Sequence, residues 1–116
     1  MAKRGDRVAP PARQGEWELQ FFTTDAATGW EELCKQARGP MREAWDTLSR
    51  DPRSRQNPRR QHQLQGEYAK RSVGGTMLEQ WQYEVTGAGR IWYCPDDARR
   101  IVQVTKACCG HPKETD

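Results

Sequence analysis

The sequence predicts an α+β domain: a single antiparallel β-sheet with an N-terminal helical pair packed on one face. Three observations carry this. Residues 16–22 alternate apolar and polar side chains, residues 26–50 carry apolar side chains at helical spacing in two blocks, and residues 80–104 return to strand-like alternation. Helices segregated from a following run of strands belong to the α+β class, because a parallel α/β sheet would interleave them.

In chain order, residues 1–15 lack periodicity and contain Pro10-Pro11 among Lys3, Arg4, Arg7 and Arg13. They read as a flexible basic arm, with the folded domain at 16–116. Trp17, Leu19 and Phe21 alternate with Glu18, Gln20 and Phe22 as a half-buried first strand. Thr23, Thr24 and Asp25 supply capping oxygens for a helix over 26–37, with Ala26, Trp30, Leu33, Cys34 and Ala37 on its inner face. Gly29 weakens that helix. Arg38-Gly39 ends it, and Pro40 suits the first turn of a second helix whose stripe is Met41, Ala44, Trp45 and Leu48. Asp51-Pro52 stops it.

Residues 53–61 form a polar, arginine-rich loop. Residues 62–70 read as a second strand with Leu64 inward and a break at Gly66, and Gly74-Gly75 marks a turn. Residues 80–94 read as a β-hairpin around T-G-A-G. Trp81, Tyr83 and Val85 share one face of its first arm, and Gln82 and Glu84 the other. In its second arm Arg90, Trp92 and Cys94 share a face opposite Ile91 and Tyr93. Residues 95–98 turn the chain into a last strand with Ile101, Val102 and Val104, expected at the centre of the sheet. The order is β-α-α-β-β-β, with one further strand if 62–70 pairs in full.

A chain of 116 residues makes one domain. With 34% hydrophobic residues and a mean hydropathy of -1.08, its core must rest on a few large side chains. Five tryptophans suit that need, since a buried aromatic removes roughly 150–250 Å² from water. The net charge of +3 is small, yet Arg50, Arg53, Arg55, Arg59 and Arg60 crowd the middle of the chain and four cations crowd its start. Such clusters are either solvated faces or the footprint of a polyanion. No apolar run approaches the ~20 residues that span a bilayer, and no apolar stretch follows the basic N-terminus. A cytoplasmic protein with no membrane partner is expected, and a reducing compartment argues against disulfides among the four cysteines.

Four constellations have chemistry to offer. Arg90, in G-R-I-W-Y, either pairs across strands with Glu84 or Asp97 or waits for a phosphate, whose geometry an arginine fork matches. His111, in A-C-C-G-H-P-K, is either a surface histidine or a general acid–base, with Lys113 beside it. Cys94, Cys108, Cys109 and His111 are zinc-ligand types, but adjacent cysteines lack C-x2-C spacing, so buried thiols and no metal are expected. His62 lies next to Arg59 and Arg60, where it either assists phosphate binding or caps the loop.

Taken in order, H-Q-L-Q-G at 62–66, G-R-I-W-Y at 89–93 and A-C-C-G-H at 107–111 resemble the motifs of the RelE/YoeB/ParE superfamily of type II toxins. The resemblance covers residue 17 to about residue 113. It implies a RelE-like β-α-α-β-β-β fold and a ribosome-dependent mRNA endonuclease held in check by a cognate antitoxin. The reaction it implies is attack of a ribose 2′-hydroxyl on the adjacent phosphate, needing neither metal nor cofactor. Arg90 would stabilise the phosphorane, His111 would be the acid or base, Lys113 would add charge, and Tyr93 or Tyr83 would position a base. Arg53, Arg55, Arg59, Arg60 and His62 would meet the RNA. The family's lysine pair is replaced by Gln82 and Glu84, and Pro58, Arg59 and Arg60 stand where a YoeB-type carboxylate would be, so the general base is unassigned. ParE-like members inhibit gyrase instead, which leaves a non-enzymatic gyrase inhibitor or an inactive nucleic-acid-binding relative as the alternative.

Overall fold

The computed structural model describes residues 2–8 and 10–109. Strand β1 (Glu18–Phe21) alternates half-buried and buried residues, as its sequence requires. Thr23 then switches the chain to helix: its Oγ1 accepts the Ala26 N–H at 2.9 Å, and α1 (Thr24–Gln36) follows with Asp25 in its first turn. Only Ala37 separates it from α2 (Arg38–Arg50). Pro40 falls in the first turn of α2, where a missing N–H leaves no intrahelical bond unmade. Trp30 and Leu33 of α1 and Met41, Trp45 and Leu48 of α2 face the core.

Six more strands complete the fold of the described residues. After β2 (Gln61–Gln63) and a single 3-10 turn at Gly66–Tyr68 come β3 (Lys70–Val73), β4 (Thr76–Glu79), β5 (Trp81–Glu84), β6 (Arg90–Asp96) and β7 (Ile101–Cys108). The main sheet has the order β1-β7-β6-β5-β2. Its pairs are antiparallel except β1 with β7, which is parallel. The class is therefore α+β with a mostly antiparallel sheet, and the expectation of a purely antiparallel one is corrected at this edge. No hairpin joins β1 to β7, so no tight turn dictates their relative direction. The middle strand is β6, with β7 beside it.

Two further expectations change. Residues 62–70 do not form one strand, because Gly66 turns at φ +67 and the chain leaves the sheet. β3 and β4 instead make a separate two-stranded hairpin across Gly74 and Gly75, at φ +59 and +87, as a tight two-residue turn demands. The N-terminal segment is not a free arm. Gly5 N–H donates to Phe21 O at 2.7 Å, Val8 N–H donates to Leu19 O at 2.9 Å, and Val8 is buried, so this segment runs antiparallel along β1. It thereby covers a strand edge that would otherwise present unpaired backbone groups.

Gly29 is explained by packing. A Cβ at that point of α1 would stand 1.8 Å from the carbonyl oxygen of Ala107 in β7. The lower helix propensity of glycine is the condition for seating α1 directly on the strand. All five tryptophans are at most 6% exposed, the concentration of burial in large side chains that the low apolar content requires. Among the described residues no helix is long and apolar enough to cross a membrane.

Candidate nucleic-acid site

Cross-strand register brings two of the sequence motifs together. Arg90, the first residue of β6, is the partner of Cys108, the last residue of β7, while Glu84 of β5 is its partner on the other side. The guanidinium is 8% exposed. Its Nη1 donates to Thr86 O at 2.9 Å and Gly89 O at 3.0 Å, and its Nη2 lies 3.5 Å from Glu84 Oε1. Two carbonyls of the turn and one carboxylate thus hold the charge that the sequence left between pairing and phosphate binding. Arg90 fixes the β5–β6 turn, and a phosphate would have to compete with Glu84 to reach it.

Tyr93 is a correction. It is fully buried, its hydroxyl donates to Pro52 O at 2.7 Å, and the same oxygen accepts Gln61 Nε2–H at 3.0 Å. Gln61 also donates to Asp51 O at 3.2 Å, so this knot fastens the end of α2 to β2. Burial pushes the phenol well above its ordinary pKa. Tyr93 anchors the core and touches no open surface. Tyr83 is likewise buried, with Arg60 placed 5.9 Å from its ring centre, so it offers no free platform for a base.

The loop arginines divide. Arg53 is a clamp: its Nη1 and Nη2 donate to the two carboxylate oxygens of Asp97 at 2.9 and 3.0 Å, and its Nε donates to Glu79 Oε1 at 3.0 Å. Glu79 also accepts the Trp81 indole N–H at 3.0 Å. That hydrogen bond and the one from Arg53 hold the Glu79 carboxyl below its ordinary pKa. Arg60 lies 3.6 Å from Glu43 and reaches Val85 O at 3.5 Å. His62 turns its Nδ1 toward Pro58 O at 3.1 Å and so closes the loop. Arg55 and Arg59 are exposed.

His111 and Lys113 lie outside the described residues. Among those described, no three His, Cys, Asp or Glu side chains converge as a metal site would need. Cys94 is buried within β6, and burial raises its thiol to about 12.

Sequence reasoning passed over a second cluster. Lys3, Arg4, Phe22, Thr23 and Thr24 line a hollow of about 540 Å³, and the Arg71 guanidinium of β3 stands 5.3 Å from the Phe22 ring centre. Among the described residues these three cations make no ion pair with a carboxylate. Lys3 and Arg4 were visible as charge at the start of the chain. Their link to Arg71 depends on the β3–β4 hairpin, signalled only by Gly74-Gly75 between K-R-S-V and T-M-L-E. Compared with known protein families and with curated proteins, the chain matches none.

Proposed function

We propose that this chain is a RelE-like toxin that cuts mRNA at the ribosome in the cytoplasm and is neutralised by a cognate antitoxin. The observation that carries the reading is the pairing of Arg90 with Cys108, which sets the start of G-R-I-W-Y beside Ala107 and Cys108 although the two stretches are far apart in sequence. His111 follows Cys108 by three residues in the sequence. The element order supports it too: β1-α1-α2-β2, then the β3–β4 hairpin as an insertion, then β5-β6-β7. In this reading His111 is the acid or base, Lys113 adds charge at the phosphate, and Arg90 is a positioning residue that holds the turn and lends positive potential.

Inducible expression followed by primer extension on a translated message tests it. New 5′ ends that vanish with His111→Gln are expected, and intact mRNA in cells whose growth has stopped overturns the reading. Arg90→Ala is a poor test, because removing a buried, paired arginine perturbs the fold as well as the site.

A second reading is favoured by the Arg90–Glu84 pair itself, which leaves little of the guanidinium to meet a phosphate. It is a non-enzymatic binder of the ParE type. Inhibition of gyrase supercoiling that is unchanged by His111→Gln would establish it over the nuclease.

A further inference from the structure

We propose that the hollow at Lys3, Arg4, Phe22, Thr23 and Thr24 binds single-stranded RNA, with a phosphate among the cations and a base stacked on the Phe22–Arg71 pair. The site is built by three separate parts of the chain. Gly5 N–H donates to Phe21 O at 2.7 Å and Arg4 N–H donates to Thr24 Oγ1 at 3.3 Å, which ties the N-terminal segment to the end of β1. Phe22 continues the β1 ladder, its N–H donating to Val104 O at 2.9 Å, and the residue is half-buried. The β3–β4 hairpin brings Arg71 to that ring at 5.3 Å. A volume of about 540 Å³ falls in the range of ligand clefts, roughly 300–1,000 Å³.

Charge and shape then select the ligand class. Arg53, Arg60 and Arg90 each have a carboxylate within 4 Å, whereas Lys3, Arg4 and Arg71 have none among the described residues. The nearby Asp6 carboxylate accepts the backbone N–H of Lys3 at 3.1 Å and makes no ion pair with its side chain among the described residues. Positive charges held around an aromatic ring match a phosphodiester with its base, because backbone phosphates need cations and every base has a face to stack. An acidic peptide would satisfy the charge but would leave the Phe22–Arg71 plane unused. This names an RNA contact made by residues other than Arg90 and Cys108, and so rests on and deepens the proposed function. It is tested by binding alone.

The probe is a labelled ten-residue oligouridylate, titrated with full-length protein by fluorescence anisotropy over a series of salt concentrations. Combined Lys3→Gln, Arg4→Gln and Arg71→Gln is expected to weaken binding about tenfold or more and to reduce the log–log salt slope by about 2, at roughly 0.7 per phosphate. Phe22→Leu, which keeps the charge, is expected to cost about fivefold or more with the slope unchanged. Combined Lys35→Gln, Arg38→Gln and Arg99→Gln removes equal charge elsewhere and should stay within about twofold of wild type. The proposal is overturned by an inert Lys3/Arg4/Arg71 or Phe22 variant, by wild type that ignores the oligonucleotide at low salt, or by polyglutamate competing as well as RNA at equal charge. Binding that behaves as expected in a protein that leaves mRNA intact sinks only the nuclease reading.

Discussion

Two sets of cations in this molecule carry the same formal charge and do different work. Arg53 is pinned by two carboxylates, Arg60 by a carboxylate, a carbonyl and a ring, and Arg90 by a carboxylate and two carbonyls; the first two join elements that the chain does not connect directly, and the third holds the β5–β6 turn. Lys3, Arg4 and Arg71 surround Phe22 with no carboxylate partner among the described residues. The first set stabilises the fold through hydrogen bonds that are already made. The second leaves its electrostatic potential unspent, available to an anion. An arginine-rich sequence therefore indicates little about binding until the carboxylates have been assigned.

The contrast breaks most visibly at Arg90. Arg90→Ala leaves Glu84 without its ion partner and the Thr86 and Gly89 carbonyls without their donor, and opens space under the turn, so it should cost about 3 kcal/mol in urea unfolding. A double-mutant cycle with Glu84→Gln should return a coupling of about 1 kcal/mol, because Glu84 is a third exposed. A loss below about 0.5 kcal/mol would place Arg90 with the unpaired set and restore it as a phosphate ligand.

Arg53→Ala comes next, at about 2 kcal/mol by the same measurement. Three charge-assisted hydrogen bonds disappear, but Asp97 is 70% exposed and regains water readily. Arg53→Lys should recover less than half of that, since an ammonium does not make the two-pronged contact with Asp97 and also reach Glu79.

How far the sequence shows these roles depends on the distance at which they are set. The Thr23 cap was readable because its partner, Ala26, is three residues on. The Glu84–Arg90 pairing was readable as one of the alternatives, because both lie in a hairpin whose faces follow from alternation around T-G-A-G. Arg53 was not, because Glu79 and Asp97 reach it only through the tertiary fold. Gly29 appeared as a weak point of a helix, since nothing local indicates that Ala107 will lie against it. Tyr93 sits in a motif that resembles a catalytic one, and only the Pro52 and Gln61 contacts reveal it as an anchor. The β3–β4 hairpin escaped detection for a physical reason: exposed and half-buried residues fill it, so it has no apolar face for alternation to mark. With that hairpin went Arg71, and with Arg71 the Phe22 cluster.

Acid should separate the two sets by a smaller amount. Glu79 has a folded pKa below its ordinary 4.5, so its contribution is present above that pH and is lost as pH falls through 4.5 and below. Because Glu79 is 42% exposed, the loss should be under about 1 kcal/mol. Melting temperature followed from pH 6 to pH 3 should fall more steeply in wild type than in Arg53→Ala, which has already lost one of the two hydrogen bonds holding that carboxylate. Parallel curves would mean that Arg53 and Glu79 are not coupled in solution.

The smallest effect on stability should come from the cations around Phe22, and its smallness is informative. Replacing Lys3, Arg4 and Arg71 with glutamine removes no ion pair among the described residues, keeps the backbone bonds of Arg4 and Gly5, and gives up only the Arg71 contact with the ring. Unfolding free energy should move by less than about 0.5 kcal/mol, as for surface changes away from any network. Removing mutual repulsion offsets part of the lost cation–π attraction, so the sign should depend on salt. At low ionic strength the variant should be level with wild type or slightly more stable, and in high salt slightly less. A loss above about 1 kcal/mol at every salt concentration would show that these cations are structural after all, and the distinction between the two sets would fail.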